Sequence, residues 1–297
     1  MRQLILPIVL ALALAACGRN DDTIAGGSPF GGRSLTGRPI VQMQYDIHEE
    51  GVEASIDSLT LFDVWNWNSQ GQLVSVDHDT SGRLQGLYTS NSETYHYDGQ
   101  GRLESIDHQG RTCRFHYSNG LLSQITYPVG NTSRQNRTEF RYRPGSAYPY
   151  AMVFTHPQED FMADRYGDTV VQTWMLEWRD GNLMRATADS VAWYWSGNIS
   201  QIDYYYDNHP NSLQGLFFAS DIIIDGFVDE PASLCRNNLV RRVIHHTYHG
   251  ETSSKEDMWS YTYGPDGYPT SVSSSYETMY WTTIYVTQHY TYGAFTE

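Results

Sequence analysis

Cysteine is scarce, with three in 297 residues, which excludes a disulfide-dense scaffold and any site built on a cysteine cluster. Charge is sparse too, at 18% of residues, and its balance is acidic, with a formal net charge of −15. That excess argues against nucleic acid or an anionic membrane surface as a bulk partner. Helical periodicity is rare, which excludes a helical bundle. The apolar run near the N-terminus, Leu4 to Ala16, is too short to span a bilayer as a helix. HExxH, GxSxG, a Walker A loop and a strand-linked GxGxxG are all missing, so zinc-peptidase, serine-hydrolase and nucleotide-binding readings have no support. No cofactor is implied.

Aromatic residues are plentiful: 23 Tyr, 8 Trp and 10 Phe. They are organised around Tyr95 to Ile106, YHYDGQGRLESI. Tyr95 and Tyr97 share a face if extended. Asp98-Gly99-Gln100-Gly101 is turn chemistry, in which Asp bonds its own downstream backbone and Gly accepts positive φ. Leu103 and Ile106 open a return strand, so the unit reads as a β-hairpin. The shape recurs from Trp65 to Val76, Phe115 to Ile125, Leu176 to Leu183, Trp193 to Ile202 and Tyr261 to Val272, with a partial copy at Ser81 to Leu84. Copies at such intervals imply stacked units. One feature conflicts with plain alternation: Leu103 and Ile106 lie three apart. Either a bulge intervenes or both sheet faces are covered.

The fold expected is all-β, an antiparallel meander of hairpins forming a large curled sheet or closed barrel over residues 39–297, with a few short helices in insertions. Two segments break the rhythm. Residues 143–168 read as a long connection with one helical turn. Residues 207–238 hold Leu213 to Ile224, either a short helix or a buried strand. Long insertions in a compact β domain are where function tends to sit.

The N-terminus carries an address. Arg2 precedes an apolar run from Leu4 to Ala16, ending Leu14-Ala15-Ala16-Cys17. This resembles a bacterial lipobox, which implies a signal peptide over 1–16 and lipidation of Cys17. Cleavage would remove Arg2, the one charge in that segment, and take the formal charge to −16. Residues 17–38, rich in Gly, Ser and Asp, read as the lipidated Cys and a flexible tether. The GRNDD after Cys17 resembles the export signal of Bacteroidota surface lipoproteins. It implies the outer membrane and a cell-surface position, with the inward-facing leaflet as the alternative.

YHYDGQGRL resembles the YD repeat of RHS-type proteins. Taken with the lipobox and two loop signatures, DNHPNS at 207–212 and SLCRNNLV at 233–240, the chain resembles a family of Bacteroidota lipoproteins of unknown function described as porin-like. That family lends no catalytic residues. The strand runs mix Tyr, Trp, Thr, Ser, Gln and His, unlike the apolar outer band of a transmembrane barrel. A barrel beside the membrane is therefore expected, not one within it.

Cys113 and Cys235 are a candidate disulfide in an oxidising compartment, the alternative being two buried thiols. Trp65, Trp67, Trp193, Trp195 and Tyr205 are candidate ligand-binding aromatics, a platform for sugar rings or else packing for the core. His245, His246 and His249 cluster without the acidic partner a metal site needs, so they read as sheet-surface polar residues. The carboxylates, among them Asp77, Asp160, Asp189, Asp203 and Asp207, read as turn and surface acids. The function expected is a non-enzymatic binding or scaffold protein for a glycan or a surface protein. The alternative is a glycosidase-like hydrolase using carboxylates in the two insertions.

Overall fold

The computed structural model describes residues 39–51, 59–79, 92–128, 135–160, 165–189, 199–217, 231–248, 250–277 and 282–293. The expected signal peptide, Cys17, the tether, Trp193, Trp195 and His249 lie outside them.

Sixteen antiparallel strands follow one another around a closed barrel. They are β1 (Ile40–Gly51), β2 (Leu59–Trp67), β3 (Leu73–Asp79), β4 (Ser92–Tyr97), β5 (Leu103–His108), β6 (Arg111–Ser118), β7 (Leu121–Pro128) and β8 (Gln135–Tyr142), then β9 (Pro149–Asp160), β10 (Arg165–Arg179), β11 (Asn182–Ala188), β12 (Ile199–Pro210), β13 (Asn237–Tyr248), β14 (Glu251–Tyr263), β15 (Pro269–Glu277) and β16 (Thr282–Tyr292). β16 pairs with β1, so the meander closes and leaves no sheet edge open. A 3₁₀ turn, Pro231–Leu234, is the helix among the described residues.

Among the described residues, the hairpin repeats at 65–76, 95–106, 115–125, 176–183 and 261–272 fall where the aromatic pattern places them; the copies at 193–202 and 81–84 lie mostly or wholly outside. The three-residue spacing that defies alternation is a bulge. His96 pairs with Ser105 and Tyr97 with Leu103, leaving Glu104 as the extra residue. Leu103 and Ile106 therefore both face inward and are fully buried. The same shift recurs between Trp67 and Leu73, Tyr117 and Leu122, Tyr142 and Pro149, Trp178 and Leu183, Tyr206 and Leu239, Tyr263 and Pro269, and Tyr292 and Ile40. Every second strand-to-strand joint thus carries such a bulge at one rim of the barrel, and β9–β10 and β12–β13 have further register shifts.

The bulges coincide with a ring of hydrogen bonds. Trp67 Nε1 donates to the Ile40 carbonyl at 2.7 Å, and the Tyr97 hydroxyl to Leu73 at 2.8 Å. Tyr117 donates to Leu103 at 2.9 Å, Tyr142 to Leu122 at 2.8 Å, and Trp178 Nε1 to Pro149 at 2.7 Å. Tyr206 donates to Leu183 and Tyr292 to Pro269, both at 2.8 Å. In each case the terminal aromatic of one strand bonds the bulged carbonyl of the preceding strand. This satisfies a polar group that the bulge takes out of the ladder. It also explains why the repeat ends its first strand in an aromatic with a polar tip.

Packing is apolar inside and polar outside. Leu73, Val76, Leu103, Ile106, Leu122, Ile125, Leu183 and Ala186 face inward and are fully or almost fully buried. The outward positions between them carry Asn66, Asp77, His96, Asp107, Glu139 and Arg241; Asn66 pairs with Asp77, His96 with Asp107 and Arg241 with Glu256 across strands, and Glu139 pairs with Arg137 along β8. This is the reverse of the wall polarity of a lipid-facing barrel.

One expectation for the insertions is corrected, and the other falls only in part within the described residues. Residues 149–160 form β9, and β10 begins at Arg165, so most of 143–168 is sheet and not connection. Pro157 is accommodated because the register shifts beside it, between Tyr166 and Thr169. From Leu213 the chain forms turns and irregular backbone to Phe217, and the rest of the segment expected as helix or strand, 218–224, lies outside the described residues. Leu216 and Phe217 are buried in the barrel's core with Leu234 and Cys235.

Candidate functional site

The connection from β12 to β13 folds into the same rim as the clasps, and the two loop signatures meet there. Asn211 Nδ2 donates to the Cys235 carbonyl at 2.9 Å, and its Oδ1 accepts from Leu213 N–H at 2.9 Å. Asn237 Nδ2 donates to the His209 carbonyl, and Asn182 Nδ2 to Asn237 Oδ1, both at 2.9 Å. The Asn238 side chain lies against the Asp207 carboxylate and the His209 and Pro210 carbonyls. Leu183 N–H donates to Cys235 Sγ at 3.4 Å, and Tyr206 Oη meets the same sulfur at 3.2 Å. Asn-rich signatures thus supply the amides that satisfy an irregular backbone buried in the barrel mouth.

Tyr263 is the one clasp aromatic bonded elsewhere. Seven counterparts reach a bulged carbonyl, but the Tyr263 hydroxyl donates to Asp207, and its ring stacks on His209 with centroids 3.8 Å apart. Burial, and the hydrogen bond and negative charge of Asp207, push the Tyr263 phenol well above its ordinary range. The clasp ring is therefore diverted where the inserted segment enters.

Beside this knot lies a cleft of about 520 Å³ lined by Asp180, Asn208, Pro210, Gln214, Arg236, Asn237 and Tyr268. Asp180 sits in the β10–β11 turn, where it and Gly181 both have positive φ (53° and 79°), the geometry of a two-residue type I′ hairpin. Tyr268 comes from the β14–β15 turn. The remaining lining residues come from the two signatures and the stretch between them. The wall is fixed by the bonds of the knot. The side chains of Asp180, Asn208, Gln214 and Arg236 make no hydrogen bond or ion pair among the described residues.

A second cluster faces the interior further along the neighbouring strands β1 to β5. Asp63 accepts from the Tyr45 hydroxyl at 2.8 Å and contacts His78 Nδ1 at 2.7 Å. Glu93, only 1% exposed, accepts from the Tyr95 hydroxyl at 2.7 Å and has His108 Nδ1 at 3.7 Å. Burial lowers the His78 pKa, but the hydrogen bond and charge of Asp63, aided by Glu93 and Asp77, outweigh it and leave the ring above its ordinary value. Burial dominates at His108. Glu93 opposes it, the positive His78 and Arg111 add to it, and the ring ends below its ordinary value.

The signs are opposite. Protonated His78 stabilises the fold below about pH 6.5, and that contribution is lost as pH rises through its folded value. His108 resists protonation, so it costs stability as pH falls from about 6.5 through its lowered value. Histidine-resolved NMR titration should give His78 a midpoint above 6.5 and His108 one below it, and a reversed order would refute this account. Among the described residues no three His, Cys, Asp or Glu side chains are grouped to hold a metal.

The residues singled out in the sequence are scattered. Trp65 and Trp67 are 4% and 7% exposed and belong to the core, which corrects their reading as a sugar platform. Inward alternation on β2 puts them there. Tyr205 does face outward, 42% exposed, with the Arg241 guanidinium 4.7 Å above its ring, but it does not line the cleft. Cys113 and Cys235 form no disulfide: both thiols are free and buried, which corrects that candidate pairing. Burial pushes the Cys235 thiol up to about 12 and the Cys113 thiol higher still, so neither is a ready nucleophile. His245 contacts Asp203 at 3.0 Å and Ser254 at 2.9 Å on the outer face. Asp77, Asp189, Asp203 and Asp207 each hold a structural partner. Asp180 and Tyr268 lie within the repeat copies Leu176 to Leu183 and Tyr261 to Val272, where nothing in the repeat pattern sets them apart. A signal for them existed: both belong to hairpin turns whose rim the long insertion must share.

Fold and site define a closed, rim-clasped barrel built from aromatic hairpin repeats, with a polar cleft at its mouth. The RHS Repeat family profile matches residues 97–132, the hairpins from the end of β4 through β7. In structure the chain is similar to a porin-like protein from Bacteroides uniformis, at 12% identity and a TM-score of 0.54, over 86% of this chain and 98% of that one. A porin-like protein from Bacteroides vulgatus is similar at 12% identity and a TM-score of 0.45, over the same shares. No curated protein matches the sequence. The chain thus carries RHS-type repeats and shares the barrel fold of a porin-like protein.

Proposed function

We propose that this is a non-enzymatic binding protein, tethered to the outer membrane through lipid on Cys17, that takes a glycan in the rim cleft. One observation carries the reading. A rigid, internally satisfied knot presents uncommitted hydrogen-bonding side chains, Asp180, Asn208 and Gln214, around a cleft with an aromatic, Tyr268, at its edge. A carboxylate and carboxamides match sugar hydroxyls, and an aromatic face matches the apolar face of a pyranose ring. A polar outer wall and a separate anchor suit a barrel held beside a membrane.

The test uses the full chain. Wild type should fractionate with membranes and Cys17→Ala should not. Thermal unfolding against an oligosaccharide panel should show stabilisation by some member, and Asp180→Asn with Gln214→Ala should abolish it. Ligand at about a hundred times its dissociation constant stabilises by roughly 2.7 kcal/mol. An unchanged distribution of Cys17→Ala would remove the anchor, and silence across the panel would remove the glycan.

A further inference from the structure

We infer that the glycan bound in the rim cleft is acidic, and that Arg236 pairs with its carboxylate or sulfate; this rests on the glycan reading above. Arg236 is held at three points short of its head group. Its N–H donates to the Gly181 carbonyl at 3.0 Å, and its own carbonyl accepts from Asn211 N–H at 2.9 Å. Its stem lies on Gly181 so closely that a Cβ there would meet Arg236 Cβ at 3.2 Å and Cδ at 3.5 Å. Gly181 is thus required twice, for its φ of 79° and for bare space beneath the arginine. The guanidinium beyond that seat makes no hydrogen bond or ion pair among the described residues.

The chain has 34 acidic against 19 basic residues, and several arginines find their own carboxylates. Arg102 pairs with Asp98, Arg137 with Glu139, Arg185 with Asp203, Arg241 with Glu256 and Arg242 with Asp257. Arg236 shares its cleft with Asp180, yet the two do not pair. Opposite charges facing one cleft without meeting leave room for a ligand that engages both. A planar carboxylate or a sulfate on the ligand meets the guanidinium fork with two parallel N–H···O bonds. Neighbouring sugar hydroxyls donate to Asp180. A ligand of the opposite sign would leave the seated guanidinium opposed by like charge.

Calorimetric titration of the full chain would use uronate-, sialate- and sulfate-bearing oligosaccharides, each beside its carboxyl-reduced or desulfated counterpart. At least one acidic member should bind about tenfold or more tightly than its neutral counterpart, as expected for charge-assisted bonds. That difference should shrink in 0.5 M salt. Arg236→Gln should erase that difference, and Arg236→Lys should restore only part of it. Equal binding of acidic and neutral forms, or a preference that survives Arg236→Gln, would overturn the inference and leave the glycan reading standing. No binding by any member in either form would overturn both.

Discussion

Replacing Phe217 with alanine is expected to destabilise the whole barrel by about 3–5 kcal/mol, the range for deleting a large buried aromatic. Phe217 is completely buried and packs 5.4 Å from the Phe115 ring, on β6 across the barrel mouth. Its carbonyl also accepts from the Tyr95 hydroxyl at 3.0 Å, and the same hydroxyl contacts Glu93. The side chain therefore anchors the inserted segment to the core, and the backbone carbonyl ties it to the interior acid cluster. For a domain near this size, each kcal/mol moves the melting midpoint by roughly 2–4 °C, so calorimetry should show a fall of roughly ten degrees. A fall of less than about 2 °C would mean that the segment is draped over a barrel that does not need it. Phe217→Leu, which keeps more of the volume, should recover part of the loss.

Asn211→Ala should cost nearly as much by another route. The carboxamide is buried and serves two backbone groups, the Cys235 carbonyl and the Leu213 N–H. Each would be left without that partner in a dry place, at about 1–3 kcal/mol apiece. The loss should be concentrated in the knot. Hydrogen exchange should accelerate at Leu213 and at Asn237, whose N–H donates to Asn182 Oδ1. The hairpins from β4 to β7 should stay protected, since none of their ladder bonds involves the knot. Cleft binding should fall at temperatures where the barrel is still folded, because Asn208, Pro210 and Gln214 ride on the released segment. Uniform acceleration over the whole barrel would refute the local role. Asn211→Asp is no substitute, since a carboxylate cannot donate to the Cys235 carbonyl and would bury a charge.

Much of this fold was legible in the residues, because its information is local. A tyrosine pair, an Asp–Gly turn and a leucine are enough to specify a hairpin. Asp98 shows why: its carboxylate accepts from Gln100 and Arg102 N–H groups and from the Arg102 side chain. Those bonds hold its carboxyl below the ordinary range although burial opposes them. Asn68 does the same in the first repeat, accepting from the N–H groups of Gln70 and Gln72. What remained illegible depends on contacts far apart in the chain. Alternation puts Trp67 on one face of β2, but that this face is the core, with the Ile40 carbonyl to accept its N–H, appears only when the barrel closes. The two loop signatures are visible as marks, but that one braces the other is visible only once Asn211 meets Cys235. Arg236 looks like any loop arginine until Gly181 is placed beneath its stem.

The clasp ring has a consequence for how such a chain lengthens or shortens. Each clasp runs from the first strand of one hairpin to the second strand of the hairpin before it, so the joints between hairpins are alike except where Tyr263 turns to Asp207. The barrel resembles a cask in which each stave carries its own share of the hoop. Adding or removing a whole stave recreates the same joint at the new seam, and the hoop closes again at a different girth. Adding or losing a single strand does not. It would set two donor strands side by side, and an antiparallel ring with an odd number of strands cannot close. Duplication and loss of entire hairpins is therefore the step size by which this architecture can change its circumference.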